Sequence, residues 1–170
     1  PANYDRKSHG EMALMDALVN SYNQATVKVG LNVGVANVIR KISQLGIEAQ
    51  VPAVPATLLG AVELTPVEVT QIYQSLAAGG YSAPLRAVTA VQTPHGELLS
   101  RYPLRLMPLD NRGAVGVLNF ALTRVVEEGT ARGLPAMLGK DTVIAGKTGT
   151  TNERRDSWFV GYTRNRVAAA

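Results

Sequence analysis

Apolar residues recur at helical spacing through the first eighty positions, and strand-like alternation is confined to the later part of the chain. Leu14, Ala17 and Leu18 share one helical face, and the pattern breaks at Asn20-Ser21-Tyr22-Asn23. A second stripe, Val35, Val38, Ile39, Ile42 and Leu45, stops at Gly46, where a helix end favours glycine. Gln50 to Pro55 reads as a linker, because each of its two prolines disfavours helix in the preceding residue. Thr65-Pro66-Val67-Glu68 predicts a helix start, with Thr65 as cap, Pro66 in the first turn and Glu68 placed for a capping box. Val69, Ile72, Tyr73, Leu76 and Ala77 are its expected buried face, in the core of the helical part, and Gly79-Gly80 ends it.

A β-like section follows. Pro84 to Gln92 and Glu97 to Arg101 flank Thr93-Pro94-His95-Gly96, which predicts a hairpin turn, and 101–108 with its two prolines reads as loop. A further amphipathic helix is expected from about Asn111 to Gly129, with Val115, Leu118, Leu122, Val125 and Val126 inward. Thr142 to Thr150 and Asp156 to Thr163 read as strands, joined by a polar turn of about five residues and therefore antiparallel. Helices come first and strands last, which predicts an α+β fold, an antiparallel β-sheet flanked by helices.

The 170 residues suit about one domain, and 46% hydrophobic with 18% charged residues describes a globular chain. The net charge of +4 comes from scattered Lys and Arg, and aromatics are only 5%, so no nucleic-acid partner is expected. The absence of cysteine removes disulfides, thiolate nucleophiles and zinc–cysteine sites. His9 and His95 look isolated, so no metal site and no cofactor is expected. The uncharged run Val69 to Leu85 is too polar to span a bilayer. The first residues carry neither an initiator Met nor a signal pattern and the last follow a strand-like stretch, so the chain is expected to be a piece of something longer.

Two short motifs carry candidate chemistry: Ser21-Tyr22-Asn23 between helices and Lys147-Thr148-Gly149-Thr150 at a strand end, 126 residues apart from Ser21 to Lys147. Gly146-Lys147-Thr148 is not a phosphate-binding loop. That motif needs glycine where Asp141 stands, and it must open a helix. An ammonium at a strand rim supplies fixed positive charge in acyl transfer, and Gly149 clears space for a substrate backbone. The rim could accept an extended peptide as an added strand, with Thr148 or Thr150 hydroxyls for a carboxylate. A Ser21 hydroxyl beside Lys147 could relay a proton, and the Asn23 amide could donate and accept at once. Taken singly, each motif also fits a bland reading: a surface Lys before a hairpin, and polar residues satisfying backbone at a helix break.

In this order and spacing, the pair resembles the serine penicillin-recognising family of penicillin-binding proteins and serine β-lactamases. Ala17-Leu18-x-x-Ser21-x-Asn23, Leu64-Thr65-Pro66-x-Glu68, Ala78-Gly79-Gly80, Val125-Val126-x-x-Gly129-Thr130, Ala145 to Thr151 and Asp156-x-Trp158-Phe159-x-Gly161 extend the resemblance over essentially the whole chain. It is closest to the class A bifunctional enzymes of 1B type. Relatives often have Gly-Thr-Gly where this chain has Gly129-Thr130-Ala131. None of the five lysines has Ser three residues before it, so the family's Ser-x-x-Lys nucleophile segment is expected outside this chain, as is the glycosyltransferase domain.

The resemblance implies a serine β-lactamase/DD-transpeptidase-like fold, here incomplete, with residues 1–170 as the C-terminal portion of a transpeptidase domain. It implies peptide cross-linking through an acyl-enzyme on D-Ala-D-Ala stem peptides derived from lipid II, inhibition by β-lactam antibiotics, and a fragment inactive alone. Carried over by position, Ser21, Asn23 and Lys147 would be catalytic. Ser21 would move a proton to the departing D-alanine nitrogen, Asn23 would hold the substrate amide, and Lys147 would tune Ser21. Thr148, Gly149 and Thr150 would bind substrate, with the Thr150 N–H as half of the oxyanion hole. The remainder of the polypeptide would be a partner, and the location the periplasmic face of the bacterial inner membrane, anchored outside this chain. The alternative is a non-catalytic periplasmic peptide-binding or scaffold domain without the nucleophile. A β-lactamase would need a deacylating carboxylate that the sequence does not place.

Overall fold

A computed structural model describes residues 1–139, 142–151 and 157–170. Helices α1 (Leu14–Val19), α2 (Asn23–Val33) and α3 (Val35–Gln44) lead into a 3₁₀ turn (Pro55–Leu59) and α4 (Pro66–Ala77). Strands β1 (Tyr81–Ser82), β2 (Ala90–Gln92), β3 (Leu98–Arg101) and β4 (Met107–Pro108) precede α5 (Arg112–Glu127) and α6 (Leu134–Leu138). The chain ends with β5 (Ala145–Thr150), β6 (Ser157–Tyr162) and β7 (Val167–Ala169). The fold is α+β, with three antiparallel sheets among the described residues: β1-β4, β2-β3 and β5-β6-β7.

Local chemistry sets these elements. The Thr65–Glu68 capping box is complete: Thr65 N donates to Glu68 Oε2 at 2.8 Å, and Glu68 N donates to Thr65 Oγ1 at 3.3 Å. Asn111 caps α5 by accepting from Ala114 N at 3.0 Å. The stripe on α3 is half-buried along its length rather than sealed into a core. On α1 the residues buried are Ala17 and Val19, whereas Leu14 is exposed, because the packing surface is the C-terminal end of α5.

The helix from Pro66 does not sit in a purely helical core. It packs on β6 and β7, with Leu76, Tyr73 and Ala77 around Tyr162 and Val167. Its fully buried positions include the polar Gln71 and Ser75, which an apolar stripe does not reveal. Gln71 is buried because its amide serves backbone: Nε2 donates to Ala83 O at 3.0 Å, and Oε1 accepts from Leu85 N at 2.8 Å.

The hairpin forms where the turn residues place it, but β2 is shorter than Pro84 to Gln92, and 84–89 has no ladder. The stretch read as loop contains β4, which pairs with β1 through Tyr81↔Pro108 and Ser82↔Met107. Beyond that short ladder, Ala83 and Leu85 are still bonded to α4 through Gln71 and Gln74, and residues 86–106 form an exposed arm. Helices α2 and α6, the 3₁₀ turn and strands β1 and β7 lie outside the elements that the sequence pattern predicts. The strand expected from Thr142 begins at Ala145, and the one from Asp156 is described from Ser157. The expectations for the polar turn beginning at Thr151 and for Asp156 fall on 152–156, outside the described residues.

Two apolar clusters hold the body. One joins Leu76, Val115, Leu122, Ala145 and Tyr162. The other joins Val19, Val125, Val126, Ala131 and Ile144, with Met15, Leu134 and Phe159 against it. Elsewhere Val117, Phe120 and Val143 are exposed. No described helix is long and apolar enough to cross a membrane.

Candidate active site

The second cluster brings the candidate chemistry together. Val19 lies two residues before Ser21, Ala131 directly follows Thr130, and Ile144 lies three before Lys147. Burial of these apolar neighbours, favourable by roughly 25 cal/mol per Å² of surface removed from water, delivers three distant segments to one place.

Ser21 sits at the C-terminal end of α1 with φ +57°. Its N–H donates to Leu18 O at 3.2 Å and the Tyr22 N–H to Ala17 O at 2.9 Å, the two reverse bonds of a Schellman closure. Such closures favour glycine, and a side chain in the left-handed region costs about 1–2 kcal/mol. Serine holds the position despite that cost, which is a physical reason to look for a role of its hydroxyl.

Asn23 opens α2, and its Nδ2 donates to Ala2 O at 2.9 Å. The other N–H and Oδ1 remain for a further partner. The preceding segment wraps this loop. Buried Asn3 accepts from Gln24 N at 3.1 Å and donates to Lys7 O at 2.7 Å. His9 is not isolated: its ring stacks on Tyr22 with centroids 4.1 Å apart, and its Nε2 lies 2.7 Å from Asp5 Oδ2.

Strand β5 is the outer strand of its sheet and pairs antiparallel with β6, Lys147 opposite Val160 and Thr150 opposite Ser157. Lys147 Nζ donates to Ser21 Oγ and, at 3.2 Å, to Thr148 O. Burial lowers the Lys147 pKa to about 8, since removal from water penalises the ammonium. Two glycines on this strand differ in cause. A Cβ on Gly146 would meet Phe159 Cζ at 2.6 Å and Val160 O at 2.8 Å, so packing alone requires glycine. At Gly149 a Cβ would meet only Trp158 Cβ at 3.4 Å. Gly149 and Thr150 are exposed, so the absence of a side chain there opens the strand rim rather than fitting the interior.

Thr130, part of the Val125-Val126-x-x-Gly129-Thr130 run, is not among the site residues that the sequence suggests. It lies within the site, with Oγ1 2.6 Å from Thr148 Oγ1. Gly129 before it is required by packing: a Cβ there would stand 2.5 Å from Val19 O and 2.8 Å from Val125 O. That contact moors the Ser21 loop on the end of α5. Glu127 and Glu128 are exposed, and Arg124 donates to both carboxylate oxygens of Glu128 at 2.7–2.8 Å. An open groove lined by Ala77, Phe120, Val143, Tyr162 and Arg164 includes none of the site residues. Among the described residues no three His, Asp or Glu side chains converge to hold a metal. Structurally, then, Ser21, Lys147, Thr148 and Thr130 form one constellation. Asn23 stands two residues from Ser21, and Gly149 and Thr150 continue the rim.

Known proteins resemble this chain in sequence and in fold. The chain is 40% identical to penicillin-binding protein 1B of Vibrio cholerae and to that of Haemophilus influenzae, in each case over 95% of this chain and 21% of the relative. The Escherichia coli 1B protein is 39% identical over 95% of this chain and 19% of its own. The chain thus spans about a fifth of the length of these relatives. Among solved structures, penicillin-binding protein 1A of Haemophilus influenzae superposes with a TM-score of 0.88 at 20% identity, covering 99% of this chain and 31% of that one. An imipenem acyl-enzyme of penicillin-binding protein A from M. tuberculosis gives 0.79 at 20%, covering 95% and 42%. The penicillin binding protein transpeptidase domain pattern matches residues 1–169, and the chain belongs to that family.

Proposed function

We propose that this chain supplies the Ser-x-Asn and Lys-Thr-Gly walls of a peptidoglycan DD-transpeptidase cleft, as the C-terminal portion of the transpeptidase domain of a 1B-type bifunctional enzyme. The observation that carries this reading is the Lys147–Ser21 hydrogen bond, made across 126 residues by a half-buried lysine with lowered pKa. The nucleophilic serine and the glycosyltransferase belong to the rest of the polypeptide, so the chain is inactive by itself. The polypeptide acts at the periplasmic face of the inner membrane, on stem peptides derived from lipid II.

In this mechanism the serine attacks the D-Ala-D-Ala carbonyl, D-alanine leaves, and an amine of a neighbouring stem peptide resolves the acyl-enzyme. Ser21 accepts a hydrogen bond from Lys147, so its own hydrogen points onward to the departing nitrogen, and Lys147 replenishes it. Lys147 with a pKa near 8 can give or hold that proton near neutral pH. Asn23 presents an N–H and Oδ1 to the peptide amide. The open edge of β5 takes the extended substrate as an added strand, Thr148 and Thr150 take the terminal carboxylate, and the Thr150 N–H faces the oxyanion. β-Lactams enter by the same contacts.

The test is covalent labelling of the full-length polypeptide by a fluorescent penicillin. Labelling is expected, and Lys147→Ala should slow it by about 10²-fold or more. No labelling, or identical rates for both proteins, would favour the non-catalytic scaffold.

A further inference from the structure

The Ser21–Lys147 contact is accompanied by a second polar pair that the mechanism above does not use in full. Thr130 Oγ1 and Thr148 Oγ1 stand 2.6 Å apart, a short hydroxyl–hydroxyl hydrogen bond. Each hydroxyl owns a single hydrogen, so the bond between them uses one and leaves the other free to turn outward. Which hydroxyl keeps its hydrogen decides what the rim of β5 offers to an anion.

Thr130 is held with little freedom. Gly129 before it touches the backbone of both α1 and α5, and Ala131 after it is buried in the cluster with Val19 and Val125. The amides of Gly129 and Ala131 both donate to Val125 O, at 3.1 and 3.2 Å. The residue therefore presents its hydroxyl from a backbone fixed on both sides.

We propose that Thr130 is a positioning residue: by donating to Thr148 Oγ1 it frees the Thr148 hydrogen and turns it toward the carboxylate of the bound substrate. This rests on the carboxylate-binding role given to Thr148 above. A carboxylate at the rim selects this direction of the bond, because a hydrogen bond to a charged oxygen is roughly twice as strong as one between neutral hydroxyls. The chain Thr130–Thr148–carboxylate then polarises in one sense. Without Thr130, the Thr148 hydroxyl can turn to the Lys147 side or to water, and its rotor must be fixed on each binding event. The effect belongs to binding of the anionic end and not to the acyl-transfer step.

The experiment compares acylation of the full-length protein by benzylpenicillin and by its methyl ester, which lacks the anionic group. Thr130→Val keeps the shape and removes the hydroxyl. It should slow acylation by benzylpenicillin about tenfold through weaker initial binding, with the limiting acylation rate and the ester rate unchanged. Thr130→Ser should restore the benzylpenicillin rate to within about twofold. Equal slowing of both probes, loss in the limiting rate alone, or failure of Ser to rescue would each overturn the proposal. Loss of the underlying reading looks different: the unmodified protein would acylate with neither probe, and the positioning role would fall with it.

Discussion

The segments that meet at Val19, Val125 and Ile144 and the arm between β1 and β4 use similar apolar residues, with opposite results. In the body, Val125 and Val126 are at most 1% exposed. On the arm, Val88, Val91, Leu98, Leu99, Tyr102 and Leu104 are 41–63% exposed, and none belongs to either cluster. The difference is layering. Helix α5 lies on β5 and against α1 and α4, so its apolar face has partners on several sides. The arm is a two-stranded hairpin on a two-residue ladder, an arrangement of marginal stability in water. Chemistry sits where packing fixes side chains, and Ser21, Thr130 and Lys147 rest on the body rather than on the arm.

That contrast can be broken at several points. The largest expected effect on stability is Leu122→Ala, which empties a position between Val115 and Tyr162; it should cost about 3 kcal/mol in denaturant unfolding of the full-length protein. Gly129→Ala should cost about 2 kcal/mol, since the new methyl meets backbone that cannot move aside. It should also slow penicillin acylation by displacing the Ser21 loop, a loss that Leu122→Ala should not share in the fraction that remains folded. Normal acylation by Gly129→Ala would show that the loop is not moored there.

A subtler effect follows from Lys147. Its folded-state pKa of about 8 lies below the ordinary 10.5, so between these values the unfolded chain binds more protons. Stability should therefore rise with pH from about 8 towards 10.5, and below 8 the charged lysine imposes a constant cost. Thermal unfolding of Lys147→Met across this range should lose the slope; an unchanged slope would place the titration elsewhere. The smallest effect is on the arm. Leu99→Ser should change stability by less than about 0.5 kcal/mol and leave acylation unaltered. A loss above 1 kcal/mol would mean that the arm is buried in the full-length protein.

Much of this architecture was legible locally. The Thr65 capping box, the turn at Thr93 to Gly96 and the inward face of α5 each depend on residues a few positions apart, where helix and turn chemistry act. The helix α2 was less so. Its valines and Leu31 point partly to solvent and leave only Gly30 buried, so it lacks a clear stripe. Buried Gln71 was hidden for a related reason: its partners, Ala83 and Leu85, lie beyond the reach of any periodicity. Within the site, Ser21, Asn23 and Lys147 stood out through the motifs they share with a family. Thr130 entered only as part of the Val125-Val126-x-x-Gly129-Thr130 run, and its role waits on the hydroxyl opposite it.

The sequence by itself determined which residues could donate, accept or carry charge, and where the capped helices α4 and α5 would start, since these follow from neighbours along the chain. Only the tertiary structure decided that Lys147 meets Ser21 and that Thr130 meets Thr148. Those encounters are made by the shared burial of Val19, Val125, Ala131 and Ile144, an apolar association that has no direction and leaves no spacing in the sequence.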